Sequence, residues 1–111
     1  MTTETPQPTA LHLPPVDPLP EKTQAYFDLC VEQLGMLPNV LRAYASDIAQ
    51  LNAFSRLYNT LMLGESALSP LEREMIAVVV SSANRCYYCL VAHGQAVREL
   101  SGDPTLGEML V

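Results

Sequence analysis

Four residues near the end of the chain have types and spacing that suit thiol redox chemistry: Glu74, Cys86, Cys89 and His93. The two cysteines form a Cys-x-x-Cys motif, and the histidine follows the second cysteine by four residues. Thiols three residues apart on a helix occupy neighbouring positions of one face and can close a disulfide. A histidine one turn further along can accept a thiol proton, and a carboxylate can orient the imidazole. The pattern therefore predicts a dithiol that cycles with a disulfide and reacts with peroxides or disulfides.

The glutamate is predicted to lie near the start of a helix. Ser69 is a typical N-cap residue, Pro70 fits the first helical position, and Glu72 completes a capping box with the serine. The apolar residues that follow continue at helical spacing to about Ala83. This helix would present Glu74 on an apolar face, where an unpaired carboxylate is unfavourable and a partner such as a histidine is expected.

The cysteines and the histidine are predicted to lie on the next helix, with Asn84 as its N-cap. Cys86 would then lie in the first turn, where exposed N–H groups and the helix dipole stabilise a thiolate. His93 is one turn beyond Cys89 and within reach of that thiol. The helix dipole thus favours Cys86 as the more reactive thiol, whereas the histidine favours Cys89. A tight turn between the two helices would bring Glu74 alongside His93.

The rest of the chain also has helical periodicity, and the prediction is an all-α fold. Residues 1–20 contain six of the nine prolines and are expected to form an extended N-terminal arm. Residues 21–111 are expected to form one helical domain, since 49% of the chain is hydrophobic and helix-favouring residues are common. The amphipathic faces indicate a core that oligomerisation completes. Further helices are predicted from Glu21 to about Gly35, from Asn39 to about Leu63, and after Asp103 and Pro104.

Charge and composition exclude several classes of partner. The formal net charge of −6 argues against nucleic acids and anionic membrane surfaces. No apolar run approaches the roughly 18 residues that span a bilayer, and the N-terminus lacks the basic and apolar regions of a secretory signal. Three cysteines, two of them in one motif, do not form a secreted disulfide framework. The expected location is cytoplasmic.

Two stretches around these four residues resemble a known family. LEREMIAVVV at residues 71–80 and CYYCLVAHG at residues 86–94 are similar to the alkylhydroperoxidase D-like branch of the carboxymuconolactone decarboxylase superfamily, especially its peroxidase-related members. LPNVLRAY at residues 37–44 and SGDP at residues 101–104 also resemble that group. The resemblance covers about residues 20–107.

The resemblance implies a compact all-α domain that forms a homo-oligomer (dimer, trimer or hexamer) and reduces organic hydroperoxides. It implies that Cys89 attacks the peroxide and that Cys86 resolves the resulting sulfenic acid. Glu74 and His93 would relay protons with a bound water. A dithiol reductant protein or a small thiol would then reduce the disulfide. No haem, flavin or metal cofactor is implied.

Two features depart from the family pattern. Studied members carry a histidine directly before the second cysteine, where this chain has Tyr88, and a phenol is a poor base at neutral pH. Peroxidase-related members also continue with further helices after the region of residues 101–104, whereas this chain ends on Leu110 and Val111. The apolar end suggests either that the chain once continued or that a partner subunit covers it. Both features are expected to lower activity.

Other interpretations of the same residues remain open. The cysteine pair can be structural, because cysteines are often small buried hydrophobes. Cys30 lies among Phe27, Val31 and Leu34 and is interpreted as a core residue. Zinc needs four tetrahedral ligands, and Glu74, Cys86, Cys89 and His93 on two helices would be an unusual set. A shortened or degenerate member would act as an oligomeric structural or redox-sensing protein. Decarboxylase or lactone chemistry is a further alternative, against which the cysteine pair counts.

Overall fold

The computed structural model describes residues 7–111, which form six α-helices and no β-strand. This confirms the all-α prediction. The chain divides into two compact units, and the boundary between them lies between Arg56 and Leu57. Within the described range, no helix is both long and apolar enough to cross a membrane. The helices are α1 (Glu21–Leu34), α2 (Asn39–Tyr44), α3 (Ile48–Leu63), α4 (Pro70–Ala83), α5 (Tyr87–Ser101) and α6 (Leu106–Met109).

The first unit begins with the predicted arm, of which residues 1–6 lie outside the described residues. Residues 7–20 contain no helix, and the backbone N–H of Val16 donates to the carbonyl of Ala45 at 2.8 Å. α1 ends at Gly35, as predicted, with φ of 79°. Glycine adopts this left-handed conformation without a Cβ clash, so the residue provides a sharp helix stop.

The core of the first unit is formed by buried side chains from α1, α2, α3 and the α2–α3 connection. The rings of Tyr44 and Phe54 stack beside it with centroids 4.7 Å apart. Cys30 is a buried cysteine outside any disulfide, which confirms the prediction that it is a core residue. The buried members are Phe27, Cys30, Leu41, Ala45 and Leu51.

The prediction of one helix from Asn39 to Leu63 is wrong, because the chain breaks between α2 and α3. Ala45 is the C-cap of α2. The side chain of Asp47 then accepts the backbone N–H of Gln50 at 3.1 Å, as an N-cap carboxylate does. Apolar spacing continues through the break, so periodicity alone does not reveal it.

The second unit contains α4, α5 and α6, with α5 packed against both of the others. Val78 on α4 and Val97 on α5 are completely buried. Gly107 on α6 lies against the backbone of Gly94 on α5, since a Cβ on Gly107 would come 3.1 Å from the Gly94 carbonyl oxygen. This close approach brings α6 against the segment that follows His93.

The connection from α3 to α4 is held at both ends. A Cβ on Gly64 would lie 2.5 Å from the carbonyl oxygen of Thr60, so this position requires glycine. Arg73 Nη1 donates to the carbonyl oxygen of Gly64 at 2.8 Å and stabilises the end of α3. The first turns of α4, next to Glu74, are therefore tied to the preceding helix.

Candidate active site

The start of α4 determines where Glu74 lies. Ser69 Oγ accepts the backbone N–H of Glu72 at 3.1 Å, and the Glu72 carboxylate accepts the backbone N–H of Ser69 at 3.0 Å. This is the predicted capping box, with Pro70 directly after the cap. The hydrogen bond from the Ser69 backbone, followed by that from its side chain, lowers the pKa of Glu72. α4 therefore has a well-defined first residue, and Glu74 follows in its second turn.

α4 ends in a Schellman motif that leads directly into α5. The N–H of Arg85 donates to the carbonyl of Ser82, and the N–H of Cys86 donates to that of Ser81, both at 3.0 Å. Arg85 has φ of 53°, a left-handed position that glycine usually occupies. Asn84 is the C-cap of α4, so its predicted role as N-cap of α5 is wrong. The left-handed residue turns the chain before the new helix starts, and Cys86 becomes the N-cap.

Cys86 and Cys89 form a disulfide across the first turn of α5. Their Cα atoms are 5.3 Å apart, and Cys86 Sγ accepts the backbone N–H of Cys89 at 3.3 Å. The sulfur thus occupies the capping position that a side-chain oxygen usually fills. After reduction, the same N–H and the helix dipole would stabilise a thiolate on Cys86. Both cysteines are partly exposed, as a reaction with external molecules requires.

Glu74 and His93 form a hydrogen-bonded pair between α4 and α5. The distance between Glu74 Oε2 and His93 Nδ1 is 2.6 Å, and the two side chains are 16% and 19% exposed. If Nδ1 carries the proton that the carboxylate accepts, Nε2 is left as the basic nitrogen. Among residues 7–111, no hydrogen bond joins His93 to either sulfur. The hairpin therefore brings the four predicted residues together as two pairs, one sulfur–sulfur and one carboxylate–imidazole.

Apolar side chains flank the disulfide on α5. Tyr87 is 80% exposed, Tyr88 is 44% exposed, and Val91 is also exposed. The first turn of α5 carries no acidic residue. In the described part of the chain, no three His, Cys, Asp or Glu side chains form a group that could hold a metal ion. The first turn of α5 thus presents exposed aromatic side chains beside the sulfurs and no acidic one.

Sequence reasoning missed two features that position the site. The left-handed Arg85 was not foreseen because the turn contains no glycine to signal it. The contact between Gly94 and Gly107 was not foreseen because a glycine in a helix is compatible with many environments. Gly107, where a Cβ would come 3.1 Å from the Gly94 carbonyl oxygen, was the available signal for a close helix approach.

The chain matches a known family over the segment that carries the site. Residues 50–105 match the model of the carboxymuconolactone decarboxylase family, and this range includes Glu74, Cys86, Cys89 and His93. Comparison with curated proteins gives no match.

The fold is similar to that of two solved structures. An uncharacterized peroxidase-related protein from Silicibacter sp. TM1040 is 69% identical over 100% of the chain, with a TM-score of 0.89. The alkylhydroperoxidase AhpD core of an uncharacterized peroxidase-related protein from Ralstonia eutropha JMP134 is 32% identical over 90% of the chain, with a TM-score of 0.83. The chain spans 58% and 53% of the lengths of these two proteins.

Proposed function

Because the chain belongs to the carboxymuconolactone decarboxylase family, in its alkylhydroperoxidase D-like, peroxidase-related branch, we propose that it is a thiol-dependent peroxidase that reduces organic hydroperoxides. The observation that carries this proposal is the Glu74–His93 hydrogen bond, one helical turn beyond the Cys86–Cys89 disulfide. Thiol peroxidase chemistry needs a reactive sulfur, a second sulfur within bonding distance and a group that moves protons. The hairpin offers a residue for each of these proposed roles.

In the proposed first step, His93 accepts the proton of Cys89 through Nε2, directly or through a water. The Cys89 thiolate attacks the terminal oxygen of the hydroperoxide, the O–O bond breaks, and a sulfenic acid forms on Cys89. The alkoxide that leaves takes the proton from His93 and departs as an alcohol. Glu74 stabilises the protonated imidazole during this exchange, as the carboxylate of a catalytic triad does.

In the second step, Cys86 condenses with the sulfenic acid, and a disulfide and one water molecule form. The Cα separation of 5.3 Å in the oxidised pair means that this condensation needs little movement of the backbone. An external dithiol, either a protein or a small molecule, then transfers two electrons and two protons to the disulfide. The reduced cysteines are restored and the donor leaves as a disulfide.

A homo-oligomer is part of the proposal. Exposed large hydrophobic side chains occur along α3, α4 and α5, and such surfaces typically mark sites of association. A reducing compartment such as the cytoplasm would keep the thiols available for repeated cycles. The exposed residues include Leu57, Leu61, Ile76, Val79, Val80 and Val91.

The direct test is intact-mass analysis of the reduced, folded protein before and after one equivalent of cumene hydroperoxide. We expect rapid loss of two hydrogen atoms, mapped by peptide analysis to Cys86 and Cys89, with release of cumyl alcohol. A double variant, Cys86→Ser with Cys89→Ser, is the matched control and should leave the hydroperoxide intact. An unchanged mass after several minutes in the folded wild type would overturn the peroxidase proposal.

A second candidate is an oligomeric structural or redox-sensing protein. Tyr88, which stands where studied relatives carry a histidine, favours this alternative because it leaves fewer groups able to move protons at the sulfurs. Such a protein would form the disulfide slowly and would not turn over. Multiple-turnover kinetics with a dithiol donor, combined with measurement of the oligomeric state in both redox forms, distinguish the two candidates.

A further inference from the structure

Arg85 occupies a backbone position that suits glycine far better. It is the residue after the C-cap of α4, and its φ of 53° lies in the left-handed region. In that region the Cβ of an L residue crowds the backbone, so glycine is the usual choice in a Schellman motif. The chain instead places a long cationic side chain there, directly before Cys86. Arginine at this position makes the folded protein less stable than glycine would.

The charge of Arg85 is not paired within the part of the chain that the structure describes. Its side chain is exposed and has no hydrogen-bond or ion-pair partner among residues 7–111. Other arginines of the second unit are engaged, since Arg73 donates to the carbonyl of Gly64 and Arg98 donates to Gln95. An unpaired guanidinium beside a reactive sulfur is available to bind an external anion.

The surroundings of Arg85 combine this cation with apolar surface. Arg85 directly precedes Cys86, and the Cα atoms of consecutive residues are about 3.8 Å apart, so the guanidinium is within side-chain reach of the disulfide. On the other side of Cys86, Tyr87 and Tyr88 expose aromatic rings, and the first turn of α5 has no acidic residue. With a formal net charge of −6, the rest of the protein repels anions, and Arg85 supplies a local attraction.

We propose that Arg85 is a specificity-determining residue that favours hydroperoxides carrying a carboxylate on an apolar chain, such as fatty-acid hydroperoxides, over neutral ones. This inference rests on the proposed peroxidase function and names the substrate class of the same site. Arg85 pairs with the carboxylate, the tyrosines contact the apolar chain, and the peroxide group reaches Cys89. The residue takes no part in the chemical steps.

The first test compares a fatty-acid hydroperoxide with its methyl ester, both below their micelle-forming concentrations. The ratio of kcat/KM for acid over ester should fall about fivefold in Arg85→Gly, the effect of losing a pair of opposite charges about 4 Å apart in a largely aqueous environment. Arg85→Lys should keep the ratio, and Arg98→Gln, at the far end of α5, is the matched control. The preference of the wild-type protein for the acid over the ester should decrease as salt is added, because salt screens the charge of Arg85.

In Arg85→Gly, thermal stability should rise while the preference for the acid falls. Arg85→Gly should raise the Tm by about 4 °C, since glycine removes the crowding at the left-handed position. Arg85→Lys keeps that crowding and should leave the Tm unchanged. A simultaneous gain in Tm and loss of acid preference in Arg85→Gly is the expected signature. A ratio that stays constant in Arg85→Gly while turnover persists overturns the inference and leaves the peroxidase function standing.

A second measurement does not depend on turnover. The rates at which iodoacetate and iodoacetamide alkylate Cys86 and Cys89 in the reduced protein are compared by peptide mapping, with free cysteine as the reference thiol and the absence of alkylation at buried Cys30 as a check that the protein is folded. We expect Arg85→Gly to lower the iodoacetate-to-iodoacetamide ratio at Cys86 and Cys89 about threefold. An unchanged ratio overturns the inference. If the wild type reduces neither hydroperoxide, the peroxidase function fails, and this ratio decides whether Arg85 attracts anions to the thiols.

Discussion

Glu74 Oε2 and His93 Nδ1 are 2.6 Å apart, and both side chains are less than one-fifth exposed. The two residues are separated by 19 positions in the sequence and meet because α4 and α5 form a hairpin. A carboxylate at this distance fixes the orientation of the imidazole ring. The pair is therefore suited to accept and return a proton within one reaction cycle.

Replacement of Glu74 by Gln keeps an acceptor oxygen but removes the negative charge. We expect Cys89 to be oxidised by hydroperoxide about tenfold more slowly or worse, because protonated His93 loses its stabilising partner. Stopped-flow mixing of the reduced variant with hydroperoxide measures this rate. Glu99→Gln on the exposed face of α5 is the matched control and should react normally. If Glu74→Gln unfolds the protein, the pair has a structural role instead.

Single cysteine variants should separate the two sulfur roles. Cys89→Ser is expected to abolish hydroperoxide consumption, whereas Cys86→Ser should accumulate a sulfenic acid on Cys89 that dimedone traps. Serine is among the best N-cap residues, so Cys86→Ser should also preserve the start of α5. Mass analysis of the dimedone adducts gives the result. A sulfenic acid that forms in Cys89→Ser, on Cys86, would reverse the assigned roles.

The two glycines that meet between α5 and α6 should respond oppositely to alanine. A Cβ on Gly107 would come 3.1 Å from the Gly94 carbonyl, so Gly107→Ala should move α6 and destabilise the protein by about 1 kcal/mol. A Cβ on Gly94 would meet nothing within 4 Å. Gly94→Ala should therefore stabilise α5 by about 0.5–1 kcal/mol, the usual gain inside a helix. Urea unfolding of both variants checks the prediction, and equal effects would contradict it.

Because of the capping box of α4, the free energy of unfolding should depend on pH. The hydrogen bonds from Ser69 lower the pKa of Glu72 from its ordinary value of 4.5, so the folded state favours the ionised carboxylate. That contribution is complete above the ordinary pKa and is lost as the pH falls through the lower pKa of the folded state. Glu72→Gln should thus be less stable than wild type near neutral pH, and the difference should diminish in acid.

Urea midpoints measured at about pH 7 and about pH 3.5 test this expectation. Glu65→Gln, in the connection before α4, is the matched control, since Glu65 is exposed and has no hydrogen bond among the described residues. This control should keep the pH dependence of the wild type. A stability difference between Glu72→Gln and wild type that is the same at both pH values would show that the charge of Glu72 is irrelevant.

The parts of the fold that follow local rules were predictable from the sequence. Ser69 with Glu72 identified the start of α4, and Gly35 identified the end of α1, because caps and left-handed glycines act through their immediate neighbours. The pairing of Glu74 with His93 followed from two helices joined by a short turn. Spacing and chain reversal were sufficient to place these side chains together.

Other parts were not predictable, because they depend on choices between competing local signals. Asp47 is a residue type that commonly forms a helix N-cap, and it caps α3. The apolar periodicity that continues through it nevertheless indicated one continuous helix. Asn84 could end α4 or begin α5. It ends α4, because the left-handed conformation of Arg85 turns the chain before α5 begins. Sulfur is a rare N-cap, so Cys86 carried no recognisable signal for that role.

The disulfide closes a loop of only four residues, and this limits what oxidation can do to the fold. Loss of entropy in the unfolded chain is the main source of disulfide stabilisation in the chain-entropy model, and it grows with the length of the loop. For so short a loop it amounts to about 2 kcal/mol, compared with about 3 kcal/mol for a loop of 15 residues. Reduction of the Cys86–Cys89 bond would thus enlarge the range of conformations of the unfolded chain less than reduction of a longer-range disulfide would. The oxidised and reduced proteins are expected to share one fold, and the reduced protein is expected to be less stable by about 2 kcal/mol.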